Sequence, residues 1–387
     1  MRGALSILVL TVAIEALAAP RLPEDPPRDD DASIDVVFLN MFLPGEPWSE
    51  QVVSSMRAAA EDLGIHLTVE QAGRWPQEIL LEAERLLTGP QRPDYLIVVA
   101  HPTIGVRLLR LAEQAHVPVL VINTGFSTEE QKEVGRPREH FSWWLGQVLP
   151  DDDKAGYDLA TSLIAEARRA GRTAADGRIH VVALTGGTVH PASSEREKGL
   201  RRAVEAQENV VLHQAVDAKW EFDDAQRKTL LLLRRYPETS AIWAANDQMA
   251  LGAIEAVTTT GRAPGRDMIV GGIGWVPQAL RAVQEGELAV TFGGHFLEGA
   301  WALVLIYDHA HGKDFGTAGT VWRTELVPIT REDLPGSMHV VGNGRPWDTM
   351  DFRSYSRVAN PGRTGYRFSP AALLDALDAK RPTGPGP

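Results

Sequence analysis

Residues 241–252, AIWAANDQMALG, decide how the chain is read. The apolar run 241–245 has the length and composition of a strand buried on both faces of a parallel sheet. Asn246 and Asp247 stop that run, and Met249, Leu251 and the small residues after them open an amphipathic helix. A polar pair at the C-terminal end of a strand, against a helix N-terminus, is where open α/β sheets bind ligands. The same pair can serve as a plain helix cap, so the neighbouring segments carry the argument further.

The pattern repeats on both sides. Strands are expected at 34–39, 65–70, 94–100 and 117–122, with helices at 52–63, 76–88 and 103–115 between them. The rhythm breaks between 125 and 150. It then restarts with helices at 154–169, 194–207, 223–235 and 276–285 and strands at 179–184, 210–215 and 268–273. One alternating unit following another predicts an α/β protein of two similar, doubly wound, parallel-sheet lobes. Residues 1–18 read as a signal peptide: Arg2, an apolar stretch at 4–14 too short to span a bilayer, and the small residues of Ala16-Leu17-Ala18 before the cut. Residues 19–33 form a proline-rich acidic leader, expected to be disordered.

Composition narrows the function. With 39 basic and 51 acidic residues the formal net charge is −12, which argues against a nucleic-acid partner. The absence of cysteine excludes disulfides and thiol chemistry. No nucleophile elbow, zinc-protease helix or Walker loop occurs, so no enzyme activity, metal or cofactor is expected. Thr185-Gly186-Gly187-Thr188 reads as a turn, Asp151-Asp152-Asp153 as a polar helix cap at a hinge, and His309 and His311 as surface residues.

Three segments in order, SSEREKGLRRAVE at 193–205, the quoted stretch, and MIVGGIGWVPQALRAVQEGE at 268–287, resemble the type I periplasmic binding proteins. The ribose- and galactose-binding proteins belong to that superfamily, as do the LuxP-type signal receptors. The resemblance runs from about 34 to 329. It implies two lobes joined by a three-segment hinge, with crossings near 147–150, 291–295 and 321–325. Lobe 1 would then be 34–147 plus 295–322, including a helix at 296–312, and lobe 2 would be 148–294 plus 323–334. Residues 335–387 lie beyond the resemblance and read as a surface-hugging extension with one helix at 369–379.

The resemblance also implies which residues hold the ligand. Trp48 and Ser49 fall where the sugar binders place two successive aromatics, and Trp220 falls on the stacking aromatic of the second lobe. Arg196, within the pattern formed by Ser194, Arg196 and Gly199, occupies the family's ligand-binding arginine, and Asn246 its asparagine. The departures matter as much. The Asp-Arg pair of ribose binders is Asn123-Thr124 here, and their asparagine after the third strand is His101. Their aspartate becomes Gly274, followed by Trp275, and their glutamine at the second crossing becomes Gly294. Lost forks and gained glycines predict a roomier, less polar pocket, for a modified sugar, a furanosyl signal or something larger. The expected protein is a periplasmic solute-binding monomer that delivers its small-molecule ligand to an ABC permease, or alternatively reports it to a membrane sensor. A LacI-type regulator would need a basic helix-turn-helix, which the acidic leader does not offer, and a secreted enzyme would need a nucleophile–base pair or metal cluster in the cleft.

Overall fold

The computed structural model describes residues 33–334, 347 and 350–379. The expected signal peptide and nearly all of the acidic leader lie outside these residues. The first sheet is built from β1 (Ile34–Asn40), β2 (Ile65–Gln71), β3 (Tyr95–Val99), β4 (Val119–Ile122) and β5 (Trp144–Pro150). Between them run α1 (Pro47–Leu63), α2 (Pro76–Thr88), α3 (Gly105–Ala115) and the short α4 (Thr128–Val134). The second half alternates α5 (Asp152–Arg169), β6 (Ile179–Thr185), α6 (Pro191–Glu205), β7 (Val210–Asp217), α7 (Phe222–Arg235) and β8 (Ala241–Ala244), then α8 (Asp247–Thr259), β9 (Ile269–Ile273), α9 (Pro277–Glu285) and β10 (Val290–Gly293). The chain then returns through α10 (Glu298–Ala310), adds β11 (Val321–Thr324) to the first sheet and β12 (Val327–Thr330) to the second, and ends in α11 (Pro370–Ala379).

The strand orders are β11-β5-β4-β3-β1-β2 and β12-β10-β9-β8-β6-β7. Both sheets are parallel except for the antiparallel edge strand β12, so the two similar α/β lobes inferred from the alternation are present. β3 (YLIVV) and β8 (AIWA) are buried along their whole lengths, because helices cover both faces of each sheet. On β1, Val36 and Phe38 join one apolar core while Val37 and Leu39 join the other, on the opposite face. Among the described residues no helix is long and apolar enough to cross a membrane.

Five elements escaped the sequence reading: α4, β5 and the short strands β10, β11 and β12. α4 is closed by a capping box between Ser127 and Glu130. β5 contains Gly146, Gln147 and Pro150, which dilute the strand signature, yet all seven residues are buried. Gly146 is needed there: a Cβ would stand 2.9 Å from the carbonyl oxygen of Thr320, just before the adjoining β11. Helix α1 also begins earlier than expected, because the Glu46 carboxylate accepts from the N–H groups of Trp48 and Ser49 and Pro47 starts the first turn.

The residues after β12 cover the first sheet's helices. The Trp347 indole donates to Ser54 Oγ at 2.8 Å and packs on Phe296. The buried Asp308 carboxylate accepts from the Ser356 hydroxyl, the N–H groups of Arg357 and Val358, and the Tyr366 hydroxyl. Phe368 stacks on Trp301 at 5.4 Å.

Candidate functional site

Strand order reverses direction between β1 and β3 in the first sheet and between β6 and β8 in the second. Loops leaving the C-terminal ends of such neighbours diverge and open a crevice, the topological switch point of an open α/β sheet. Trp48 and Ser49 follow β1, His101 follows β3, Arg196 lies on the helix after β6, and Asn246 follows β8. Four chain segments flanking two switch points therefore carry five of the residues singled out from the sequence.

On the first lobe, Trp48 stands in the first turn of α1. Its ring stacks on His295 (5.3 Å between centroids, planes 22° apart) and meets Phe42 edge-on. Burial pushes the neighbouring Glu46 carboxyl upward, while its bonds to the N–H groups of Ser49 and Trp48 oppose that. Ser49 is turned away from Trp48's surroundings: it is buried and hydrogen-bonded to Asn40 at 3.2 Å. It holds the end of β1 rather than presenting an aromatic's counterpart.

On the second lobe, Trp220 has a left-handed backbone (φ 65°). Its ring lies flush against Gly186, where a Cβ would fall 1.8 Å from the ring. This is why the Gly186-Gly187 turn carries glycine at its first position. The Arg196 guanidinium lies over the same ring, 5.7 Å from its centroid. Arg196 is buried. Its Nε donates to Asp152 Oδ1 and its Nη1 to the Ala245 carbonyl, both at 2.7 Å. Asn246 caps α8 by accepting from Met249 N–H and donates to the Trp220 carbonyl at 3.2 Å. Arg196 and Asn246 thus fasten the second-lobe loops to one another and to Asp152 at the first crossing. Gly156 makes this approach possible, since a Cβ there would lie 2.0 Å from the Arg196 carbonyl oxygen.

The remaining readings are corrected in part. Trp275 is fully buried, its indole N–H donates to the Thr291 carbonyl, and its ring fills the space above Gly293, so it is core. The room expected at the two glycines is taken. Asp247 Oδ2 would be 2.7 Å from a Cβ at Gly274, and Pro370 of the C-terminal extension would be 2.3 Å from one at Gly294. Asn123 (φ 62°) bonds Thr124 through its side chain. His101 faces His190 across the lobes at 6.4 Å.

Sequence reasoning missed the groups that most need a partner. Trp48 Nε1, Gln51 Oε1, Gln147 Oε1, His295 Nδ1 and Glu298 Oε2 are buried without a hydrogen-bond partner. Buried polar atoms are almost always paired, with protein, water or ligand. Gln51 is one helical turn beyond Trp48 and donates across the lobes to the Trp275 carbonyl at 2.9 Å. Burial holds the His295 imidazole well below its usual value, and Arg196 adds to that. Burial pushes Glu298 well above the carboxylate range, opposed by its bond to Thr324. Asp247, buried in the second lobe, is pushed to about 7 by burial against hydrogen bonds from Thr291 and Val276. Burial thus favours the neutral forms of Glu298 and His295. Their position just after Gly294, the residue aligned with the family's glutamine, was the available signal.

Two spaces open beside this cluster. A cleft of about 340 Å³ on the hinge side is lined by Asn123, Gln147, Asp152, Glu195 and Arg323, among others. A second, of about 390 Å³, lies at the other rim between Gln51, Gln278 and Trp347. Of the nine residues nominated from the sequence, Asn123 alone lines the first and none lines the second. The lobes are drawn together above them by the Gln51–Trp275 bond and an Arg74–Glu221 ion pair at 3.6 Å.

Two switch-point crevices facing each other across a three-strand connection define a two-lobed binding protein, and known proteins agree. A family model described as a periplasmic binding protein domain matches residues 36–314, and the chain belongs to that family. The ribose import binding protein of Escherichia coli is 27% identical over 300 residues, covering 76% of this chain and 86% of that protein. The galactofuranose-binding protein of the same organism is 23% identical over 246 residues, covering 62% and 71%. A periplasmic sugar-binding protein from Pseudomonas fluorescens superposes with a TM-score of 0.78 at 33% identity, covering 88% of this chain and 98% of its own. The relatives are solute-binding proteins rather than enzymes.

Proposed function

We propose that the protein captures a sugar or sugar-derived molecule between its lobes and presents the closed form to an ABC permease, binding the ligand without transforming it. The ribose- and galactofuranose-binding relatives support the ligand class. The observation that carries the reading is the set of buried, unpartnered polar atoms at the lobe junction, beside one exposed-edge tryptophan ring from each lobe. In that set two amide oxygens accept, an indole N–H donates, and the His295 nitrogen and the Glu298 carboxyl oxygen take either role according to where their protons sit. A polyhydroxylated ligand supplies both donors and acceptors to such a set, while Trp48 and Trp220 offer flat apolar faces to its C–H surfaces. Ligand contacts made to both lobes at once stabilise closure.

In this reading the lobes are 34–147 plus 295–322 and 148–294 plus 323–334, the protein acts as a monomer, and residues 1–18 direct it to the periplasm and are removed. The test is calorimetry against pentoses, hexoses, furanoses and their derivatives, with tryptophan fluorescence as a second signal. Saturable binding of a polyol accompanied by a fall in radius of gyration is expected. No binding across the panel, or binding at an unchanged radius, would sink the clamp.

A further inference from the structure

At the opposite end of the second sheet, remote from the cleft, two histidines and a glutamate converge. His180 is the second residue of β6, His213 lies in β7, and Glu238 precedes β8. His180 Nδ1 and His213 Nε2 are 2.8 Å apart, Glu238 Oε1 is 3.1 Å from His213 Nε2, and it is 4.0 Å from His180 Nδ1. We propose that these three side chains form a site for a divalent transition-metal ion, of the tetragonal kind that suits Cu(II).

Five features support it. The first is position. The circle through the three atoms has a radius of about 2.0 Å, which is the length of a metal bond to imidazole or carboxylate. An ion at its centre would see His180 and Glu238 nearly opposite each other and His213 roughly at right angles to both. That is three corners of a square plane, the Cu(II) or Ni(II) arrangement, and not a tetrahedron. The second is orientation. Asp176 accepts from His180 Nε2 at 3.1 and 3.2 Å, so the neutral ring carries its proton there and leaves Nδ1 as the lone-pair atom. The third is local backbone. In the β6–β7 ladder Val181 pairs with Leu212 and Val182 with Gln214. His213 is the extra residue of a bulge, a device that re-aims a side chain out of strand alternation.

The fourth is support. The Tyr236 ring lies parallel to the His213 ring at 4.3 Å and 12°, and the two imidazole planes are within 18° of each other. The fifth is charge. Asp176 and Glu238 bring two carboxylates to two imidazoles, matching a divalent cation. Without an ion, one N–H bridges the rings. Loading replaces that bridge, and both rings swing to aim at the ion. The site lies in the N-terminal halves of β6 and β7, and the C-terminal end of β6 is roughly 15 Å away, so metal and sugar sites are separable.

The test uses full-length protein without a polyhistidine tag, stripped with EDTA and titrated with Cu(II) against a chromophoric chelator. One equivalent should bind in competition with the chelator, with an axial electron paramagnetic resonance spectrum showing two-nitrogen coupling. His213→Gln should weaken binding at least ten-fold, and Asp176→Asn, which leaves all three ligands in place, by 10–100-fold. Melting temperatures without metal show that each variant is folded, and ligand affinity should be unchanged in both. Absence of stoichiometric Cu(II) uptake, or uptake indifferent to His213→Gln in folded protein, would overturn the assignment.

Discussion

Arg196 is where a ligand anchor and a structural ion pair predict different things. Its guanidinium and the Asp152 carboxylate are 4% and 6% exposed, and the bond between them is 2.7 Å. Arg196→Met keeps the volume and removes the charge. It leaves a buried carboxylate unpaired and the Ala245 carbonyl without its donor. Breaking one half of a buried pair costs about 3–5 kcal/mol. An independent bound comes from titration. The orphaned Asp152 can take up a proton, and from a usual value of 3.8 that costs at most about 4 kcal/mol at pH 7 and about 2 kcal/mol at pH 5. The two routes agree near neutrality. The sign follows because removing Arg196 raises the folded-state pKa of an acid, so stability is regained as pH falls. The variant should therefore melt roughly 8–16 °C below wild type at pH 7 and about half as far below at pH 5, as read by circular dichroism. Adding Asp152→Asn should restore most of the loss. If Arg196→Met melts within about 2 °C of wild type at pH 7 while ligand binding disappears, the pair holds nothing together and Arg196 is a ligand anchor alone.

Further outcomes are expected. Trp48→Ala and Trp220→Ala should each weaken ligand binding by about 1–3 kcal/mol and reduce the fluorescence change, and full affinity in folded protein would remove these rings from the site. Burial raises the Glu298 carboxyl above its usual value, so its contribution is greatest at low pH and is lost as pH rises from the usual 4.5 toward its raised folded value. Glu298→Gln, a neutral isostere, should melt above wild type at pH 8 and match it at pH 4.5, and a lower melting point at pH 8 would show that the charged form is the one accommodated. Gly294→Ala places a Cβ 2.3 Å from Pro370 at a φ of 103°, costing about 1–3 kcal/mol, and should make residues 347–379 a target for limited proteolysis at wild-type-resistant protease levels. Intact-mass measurement of the exported protein should show residues 1–18 missing.

The alternation of apolar runs and amphipathic helices made both sheets legible, because strands such as 95–99 and 241–244 are apolar on every residue. β5 was not legible, since its glycine is dictated by the chain entering β11, a partner more than 170 residues away, and neither were the short strands β10 to β12. The same distinction governs the site. Trp48, Trp220, Arg196 and Asn246 are attached to strand ends, and strand ends can be read locally. Which way a residue faces within a helical turn cannot: Ser49, next to Trp48 in sequence, turns inward to Asn40. The supposed room at Gly274 and Gly294 is filled by Asp247 and Pro370, tertiary neighbours that no spacing reveals. Gln51, His295 and Glu298 look like ordinary helix residues until the returning α10 buries them against α1 and β5.

The attachment of the C-terminal residues to Asp308 bears on what counts as the folding unit. The family match ends at residue 314, which invites a shortened version ending near residue 334. Such a chain would lose the four donors that satisfy the Asp308 carboxylate and would bare the faces of Trp301, Phe296 and Trp322 now covered by Phe368 and Trp347. Newly bared aromatic faces are the recipe for self-association. Autonomy in this protein therefore extends past the end of the family match: a truncated product would be expected to collect in inclusion bodies, and solubility, not ligand affinity, would be the first property to fail.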